Sequence, residues 1–361
     1  MLDLENMGRL GPLVFDEVHK LLTDSTYRTA FEHFHVLNKL KTVIFGLTGT
    51  LPPHLYAAFC EFTQMTWKII RTPTWRKELK YDVVKIAKEN QMNDMIYTHL
   101  QKHLQTYRAE DRAIIFCRDK RHVCEIAALF NVKPFYAPGV DDNEMVTQNE
   151  ETMKGWLAGK NKVMVSTSYL GCGLDCAHIR DVIHRDPSYT MIDQDQEDGR
   201  GGRDGLETRA TIFVVKSNPY KIPSTLHDFG TKALINSMYD DKTCLRMSRT
   251  RFLDGRSIQC VSLPAAAFCG RCEGLMMETP SASVSLQLVT PTAARSSMIP
   301  LRTPARAPLM SPVPSQTHTP DVFGCPDTLI ATQKRVRYNT SSQSFYSISP
   351  RKKIKFTHSS M

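Results

Sequence analysis

The sequence lacks the features of a membrane or secreted protein. No run of apolar residues approaches the roughly 18 that a helix needs to span a bilayer. The first residues, MLDLENMGRLG, contain neither a basic cluster nor an apolar stretch, so they predict no signal peptide. Internal repeats are also absent. We therefore expect a soluble intracellular protein without a membrane partner, in which the ten cysteines serve as thiols or metal ligands rather than disulfides.

Acidic residues are scarce in the C-terminal part of the chain. From Pro280 onward there are ten Lys or Arg residues and two acids, which gives +8 of the total net charge of +9. This segment also holds ten of the twenty prolines and is rich in Ser and Thr, a composition that predicts a disordered basic tail. Its run RKKIK (351–355) is typical of a nuclear localisation signal or a nucleic-acid patch, and it fits a merely solvated tail as well.

Short runs rich in Val, Ile and Phe predict buried strands, and longer amphipathic stretches between them predict helices, as at 92–107 and 121–130. This alternation is typical of α/β folds with parallel sheets, in which ligands gather at the carboxyl ends of strands. A polar seam at 71–80, containing Pro73, predicts an interdomain linker. The predicted strands are 11–15, 42–49, 112–117, 162–167, 180–185 and 209–215.

Polar motifs follow several of these strands. Asp16 and Glu17, in DEVH, could hold Mg²⁺ and polarise an attacking water, although acids are also favoured at the start of any helix. The hydroxyls of TGT (48–50) and the glycines of STSYLGCGLD (166–175) suit contacts to phosphate oxygens, and both could equally be plain loops.

The stretch QEDGRGGRDG (196–205) places two arginines, Arg200 and Arg203, beside glycines. A guanidinium fork suits a phosphate group, and glycine permits close backbone approach, so we interpret the stretch as a phosphate-facing turn. An isolated copy of this sequence fits a solvated loop equally well.

Taken in order, DEVH, TGT, IIFCRDK, VSTSYLGCGLD and QEDGRGGRDG resemble the motifs of superfamily-2 helicases, and more closely those of the RecQ family of DNA helicases. The resemblance covers residues 12 to 272. It implies an α/β fold of RecA-like parallel sheets, with part of a first lobe and a complete second lobe. The implied domains are the partial first lobe (1–70), a linker (71–80), the second lobe (81–216), a helical zinc-binding subdomain (217–279) and the disordered tail (280–361).

The resemblance also assigns roles to single residues. Asp16 would coordinate Mg²⁺, Glu17 would activate water, and His19 would couple hydrolysis to strand movement. Gln196, Arg200 and Arg203 would face the ATP phosphates, the arginines acting as arginine fingers do. Further ATP-binding residues would be Gly173 and Asp175, and a single-stranded DNA track would include Thr50, Arg118, Tyr136 and Thr167.

Four cysteines near the end of this region form a candidate zinc site: Cys244, Cys260, Cys269 and Cys272. An intracellular C-x-x-C with two more cysteines nearby suits tetrahedral zinc, and RecQ helicases carry a four-cysteine zinc subdomain at this point. Eight residues separate Cys260 from Cys269, which is looser than the usual pattern, so buried free thiols remain the alternative.

One family motif is missing from the sequence, because no G-x-x-x-x-G-K-[ST] phosphate-binding loop is present. The nearest run, 155–161, has Asn where a hydroxyl is needed. We therefore expect either an incomplete ATP-dependent 3'–5' DNA helicase of RecQ type, acting in the nucleus in repair or recombination, or a nucleic-acid-binding remnant without ATP turnover. An RNA helicase and a regulatory zinc protein with a basic tail remain open alternatives.

Overall fold

The computed structural model describes residues 1–25, 28–171, 175–217, 219–220 and 228–278. Residues 1–69 and the described residues from 73 onward belong to one compact unit. The predicted tail, 280–361, and the predicted ATP-binding residue Gly173 lie outside the described residues.

The described residues form two parallel β-sheets. The small sheet pairs β1 (Leu13–Phe15) with β2 (Ile44–Gly46). The large sheet has five strands in the order β3-β7-β6-β4-β5. These strands are β3 (Leu79–Ile86), β4 (Arg112–Cys117), β5 (Val163–Ser166), β6 (Ile179–Arg185) and β7 (Thr208–Val215).

Helices connect the strands and cover the sheets. No helix in the described part of the chain is both long and apolar enough to cross a bilayer. The α-helices are α1 (Leu2–Asn6), α2 (Lys20–Thr23), α3 (Tyr56–Thr63), α4 (Met92–Leu104), α5 (Lys120–Leu129), α6 (Asn143–Leu157), α7 (Met191–Asp198), α8 (Thr231–Tyr239), α9 (Leu245–Leu253) and α10 (Gly270–Glu278). Short 3-10 helices lie at Thr29–Lys39, Pro53–Leu55, Glu89–Gln91, Ser168–Gly171 and Cys260–Ser262.

The large sheet confirms the predicted parallel α/β fold. All six residues of β4, an internal strand of this sheet, are buried, because its side chains after Arg112 are apolar and helices pack on each face. One face contributes Ile115 to a core with α4 and α5, and the other contributes Ile114 to a core with Trp156 of α6. All six predicted strands are present, and β3 is an additional strand that starts inside the predicted linker.

The small sheet is covered on one face only. Phe15 packs into a cluster formed by Val18, Phe34, Phe59 and other apolar side chains, and Ile192 of α7 closes this cluster from the side of the large sheet. Gly46 belongs to the covered face, since a Cβ there would lie 3.0 Å from a methyl group of Val18. Residues 1–69 are thus held against the large sheet through α7.

The last described helices pack on β3. Arg246 of α9 is fully buried and donates hydrogen bonds to the carbonyls of Arg76 (2.7 Å), Leu79 (2.7 Å) and Ala267 (3.2 Å). Its guanidinium also lies 5.2 Å from the ring centroid of Tyr81. Arg246 therefore anchors this helical region to the edge of the sheet.

Candidate active site between the two sheets

The DEVH motif lies directly after β1, as predicted, and its backbone makes an unusual turn. Glu17 has φ = 51°, in the left-handed region that non-glycine residues rarely adopt. Its backbone N–H donates to the carboxylate of Asp16 (2.9 Å). Asp16 is exposed and Glu17 half-buried, so the two adjacent carboxylates occupy different environments.

His19 anchors the motif to the turn that follows β2. Its Nδ1 contacts the hydroxyl of Thr48 (2.7 Å) and a carboxylate oxygen of Glu17 (3.3 Å). The side chain is 2% exposed, and this burial lowers the pKa of His19 to about 4. The imidazole is therefore neutral near pH 7, because the buried site disfavours its charged form.

Gln196 of α7 connects the large sheet to this motif. Its amide nitrogen lies 3.0 Å from Nε2 of His19, 3.3 Å from the hydroxyl of Thr50 and 3.4 Å from a Glu17 carboxylate oxygen. Because the amide donates to Nε2, the proton of the neutral His19 ring lies on Nδ1. Residues 177 positions apart in the sequence thus share one polar cluster.

The charge of Arg200 reaches the same cluster. Burial raises the pKa of Glu17, and the neighbouring carboxylate of Asp16 raises it further, while Lys20 and Arg200 lower it. The net shift is upward, so Glu17 is a stronger proton acceptor than an ordinary surface glutamate. Arg200 of the glycine-rich stretch therefore lies close enough to Glu17 for its charge to act on that carboxylate.

Arg203 lies elsewhere in the same turn. Its guanidinium bonds the carboxylate of Asp175 at 3.0 Å, and this aspartate is 81% exposed. These two predicted ATP-binding residues thus contact each other. Within the described residues, no contact joins Arg203 to the DEVH motif.

The glycines beside these arginines have a packing role. A Cβ at Gly201 would lie 2.3 Å from a methyl group of Thr208, and Gly202 has φ = 62°. Arg76 holds this turn by donating to the carbonyls of Gly199 (2.9 Å) and Gly202 (2.7 Å). The bare backbone therefore fits against the start of β7, and Arg76, within the predicted linker, is a site-shaping residue that sequence reasoning missed.

The four predicted nucleic-acid residues divide into two sets. Thr50 is only 4% exposed, because it lies inside the cluster around Gln196. Arg118, Tyr136 and Thr167 lie together along the carboxyl edge of the large sheet, after β4 and beside β5. Arg118 donates to the carbonyls of Pro187 (2.5 Å) and Ser188 (2.9 Å).

The C-terminal end of α7 takes part in a buried ionic network that the sequence analysis did not predict. His184 contacts Asp198 at 2.7 Å and Glu197 at 3.4 Å, and Arg249 of α9 contacts Asp198 at 2.5 Å. Although burial lowers the pKa of His184, these two carboxylates outweigh it and raise the pKa to about 9. The imidazolium and Arg249 together fix the helix that carries Gln196.

The four predicted cysteines meet in one buried cluster. Their Sγ atoms all lie within 4.8 Å of one another, with Cys244 3.6 Å from Cys260 and 3.8 Å from Cys269. Hydrogen bonds from Cys260 and Cys269 lower the pKa of Cys244, and its hydrogen bond to Cys244 raises the pKa of Cys260. Four thiolates around zinc at about 2.3 Å would be about 3.8 Å apart, so the donor set and spacing fit zinc.

Part of the chain matches a known protein domain. Residues 92–205, from α4 to the end of the glycine-rich turn, match the helicase conserved C-terminal domain. The chain is related to superfamily-2 helicases.

Its relatives in this superfamily include DNA and RNA helicases. The RecQ-like DNA helicase blm-1 of Caenorhabditis elegans is 24% identical over 248 residues, which cover 66% of this chain and 24% of the relative. The ATP-dependent RNA helicase dbp3 of Emericella nidulans is 24% identical over 258 residues, 63% of this chain and 51% of the relative.

The chain thus spans a quarter to about half of the length of these two superfamily-2 relatives. Among solved structures, S. cerevisiae Dbp5 bound to RNA and ADP BeF3 has a TM-score of 0.47 and 17% identity, over 66% of this chain and 61% of that chain.

Proposed function

We propose that this chain belongs to an ATP-dependent 3'–5' DNA helicase of the RecQ type, which separates strands in the nucleus during repair or recombination. One observation carries the proposal: Gln196, four residues before Arg200, bonds His19 and lies against Glu17. A change at a nucleotide bound beside the DEVH motif could reach the large sheet through this cluster. The reason is that Gln196 of α7 contacts both His19 and Glu17.

The residues divide the work of phosphoryl transfer. Asp16 is exposed, and its carboxylate oxygens would hold Mg²⁺. The bound ion would neutralise charge on the phosphates. Glu17 would accept the proton of the attacking water, helped by its raised pKa. Arg200 and Arg203 would stabilise negative charge that develops on the phosphate oxygens.

The cysteine cluster favours the RecQ type over RNA helicases. Cys244, Cys260, Cys269 and Cys272 would hold a structural zinc ion that joins α9 and α10, since all four donors are in place and no fifth position is needed. The basic C-terminal segment would add electrostatic affinity for nucleic acid and direct the protein to the nucleus.

A second candidate function is nucleic-acid binding without ATP turnover. It is favoured by the missing G-x-x-x-x-G-K-[ST] motif, because phosphoryl transfer depends on precise positioning of the triphosphate. The groups present supply a metal carboxylate, a base and two arginines, but no phosphate cradle of that kind. We therefore expect weak ATP binding and slow turnover by this chain alone.

The test is a single-stranded-DNA-stimulated ATPase assay on the whole chain, with Glu17→Gln and Arg200→Ala. Each substitution removes a group to which this proposal assigns a role in the transition state, so we expect the residual turnover to fall about a hundredfold. Glu32→Gln, at an exposed carboxylate, is the matched control and should leave turnover unchanged.

Each outcome separates the candidates. Turnover that is slow and depends on Glu17 supports the motor assignment. DNA binding with no Glu17-dependent turnover supports the remnant. Fast DNA-stimulated turnover would show that this chain positions ATP without the missing motif. A protein that binds no DNA at all would exclude both candidate functions.

A further inference from the structure

Two large aromatic side chains are exposed at the carboxyl edge of the large sheet. Tyr169 follows β5 and is 47% exposed, and Tyr189 follows β6 and is 57% exposed. Aromatic side chains normally contribute buried area, so exposed ones at the ligand edge of an α/β sheet call for a functional explanation.

The ring of Tyr189 is held in place by Arg118. The guanidinium carbon of Arg118 lies 5.0 Å from the Tyr189 ring centroid and 5.4 Å from that of Tyr220. Arg118 is itself fixed by the carbonyls of Pro187 and Ser188. The ring is therefore positioned before any ligand arrives, which lowers the entropy lost on binding.

A second aromatic group continues along the same edge. The Tyr169 ring lies 5.7 Å from that of Phe135, tilted by 31°, and Phe135 pairs with Ser166 at the end of β5. Lys120 stands 4.7 Å over the ring of Tyr136 and donates to the carbonyl of Ala137 at 3.0 Å. Aromatic rings and fixed cations thus alternate along the carboxyl ends of β4, β5 and β6.

The space between these groups is too small to hold a base. Tyr189, Arg118 and Ser168, the neighbour of Tyr169, line one cavity of about 20 Å³. One water molecule needs about 10–15 Å³ of such space, so this cavity can hold a single water and no nucleobase can enter. A ligand at this edge must lie on the exposed rings rather than between the strands.

We propose that Tyr189 and Tyr169 form a platform on which unpaired bases of single-stranded nucleic acid stack. The inference rests on the proposed function and adds the mode of recognition: aromatic faces hold the bases, while nearby cations such as Lys120 and the 72% exposed Arg121 meet the phosphates. Any base can stack on these rings, since every base has an aromatic face. The platform can therefore keep binding a strand as the strand moves past it and its base sequence changes.

The experiment compares two labelled oligonucleotides of equal length, an oligothymidylate and one made of abasic nucleotides, by fluorescence anisotropy with the whole chain. Both present phosphates and only the first presents bases. We expect the wild type to bind oligothymidylate at least about tenfold more tightly than the abasic strand. Tyr189→Leu and Tyr169→Leu should each weaken oligothymidylate binding about tenfold and leave abasic binding unchanged.

Tyr189→Phe is the matched control, because it keeps the ring and loses only the hydroxyl, and it should bind as the wild type does. Equal affinity of the wild type for both strands would overturn the platform while leaving nucleic-acid binding intact. Equal weakening of both strands by the Leu variants would overturn it too, since phosphate contacts would then be the cause. Failure of the wild type to bind either strand would overturn the proposed function itself.

Discussion

The two described sheets are both parallel, yet they differ in how completely their faces are buried. Every residue of β4 in the large sheet is buried, whereas in the small sheet the paired residues Val14 and Phe45 are 59% and 50% exposed. Parallel sheets are usually covered on both faces. The large sheet therefore contains its own core, and the small sheet depends on the apolar seam with Ile192 of α7.

The largest effect should come from the core of the large sheet. Trp156 is 1% exposed and packs under β4 and β5, so we expect Trp156→Ala to lower the free energy of unfolding by about 4 kcal/mol. Leu157→Ala, at the adjacent residue that is 47% exposed, should change it by less than about 0.5 kcal/mol. Denaturant unfolding followed by circular dichroism measures both, and similar losses would mean that the core assignment is wrong.

The next effect concerns the edge of the large sheet. Arg246→Ala leaves three carbonyls without their donor and should cost about 3 kcal/mol of unfolding free energy. Arg251→Ala on the same helix is the control, because that side chain is exposed and bonds only Ser257 among the described contacts. A loss for Arg246→Ala no larger than the control's would contradict the anchoring role.

A pH-dependent effect is expected at the junction of the two regions. The pKa of His184 is about 9 in the folded protein against 6.5 for the free side chain, so the folded state keeps a proton that the unfolded chain releases. The stabilisation is complete below pH 6.5 and is lost as the pH rises through 9.

His184→Gln should therefore flatten the decline in unfolding free energy between neutral pH and pH 9. Urea titrations of wild type and variant across this range provide the measurement. Parallel curves for the two proteins would show that His184 is not the titrating group.

The smallest effect should come from the exposed face of the small sheet. Phe45→Ser removes a ring that is half exposed, so we expect a change of less than about 0.5 kcal/mol in unfolding free energy. Phe59→Ala, at the 2% exposed ring on the covered face, should cost about 3 kcal/mol. A large loss for Phe45→Ser would indicate that this face is covered in solution.

Sequence reasoning located the strands whose residues are apolar on both faces and missed β3. That strand lies at the edge of the large sheet and alternates buried Leu79 and Tyr81 with partly exposed Lys80 and Asp82, so its residues look like a polar seam. The predicted strand 42–49 is also longer than β2, because only Ile44–Gly46 has a strand partner.

The site was predictable where motifs follow strands, and not where distant residues meet. The family resemblance assigned Glu17 and Gln196 to one site, and the amide nitrogen of Gln196 lies 3.4 Å from a carboxylate oxygen of Glu17. The hydrogen bond from Arg76 to Gly199 spans 123 residues, and the contact of Arg249 with Asp198 depends on how α9 packs. Local periodicity carries no information about such pairs.

The left-handed backbone conformation of Glu17 lowers the stability of the folded protein at the same position whose carboxylate the proposed function uses. An L-residue in this conformation costs about 1 kcal/mol that glycine would not incur. Glu17→Gly relaxes the main chain and removes the carboxylate in the same step. Directed evolution for heat resistance alone would favour this exchange, and it would remove the base that the proposed function requires.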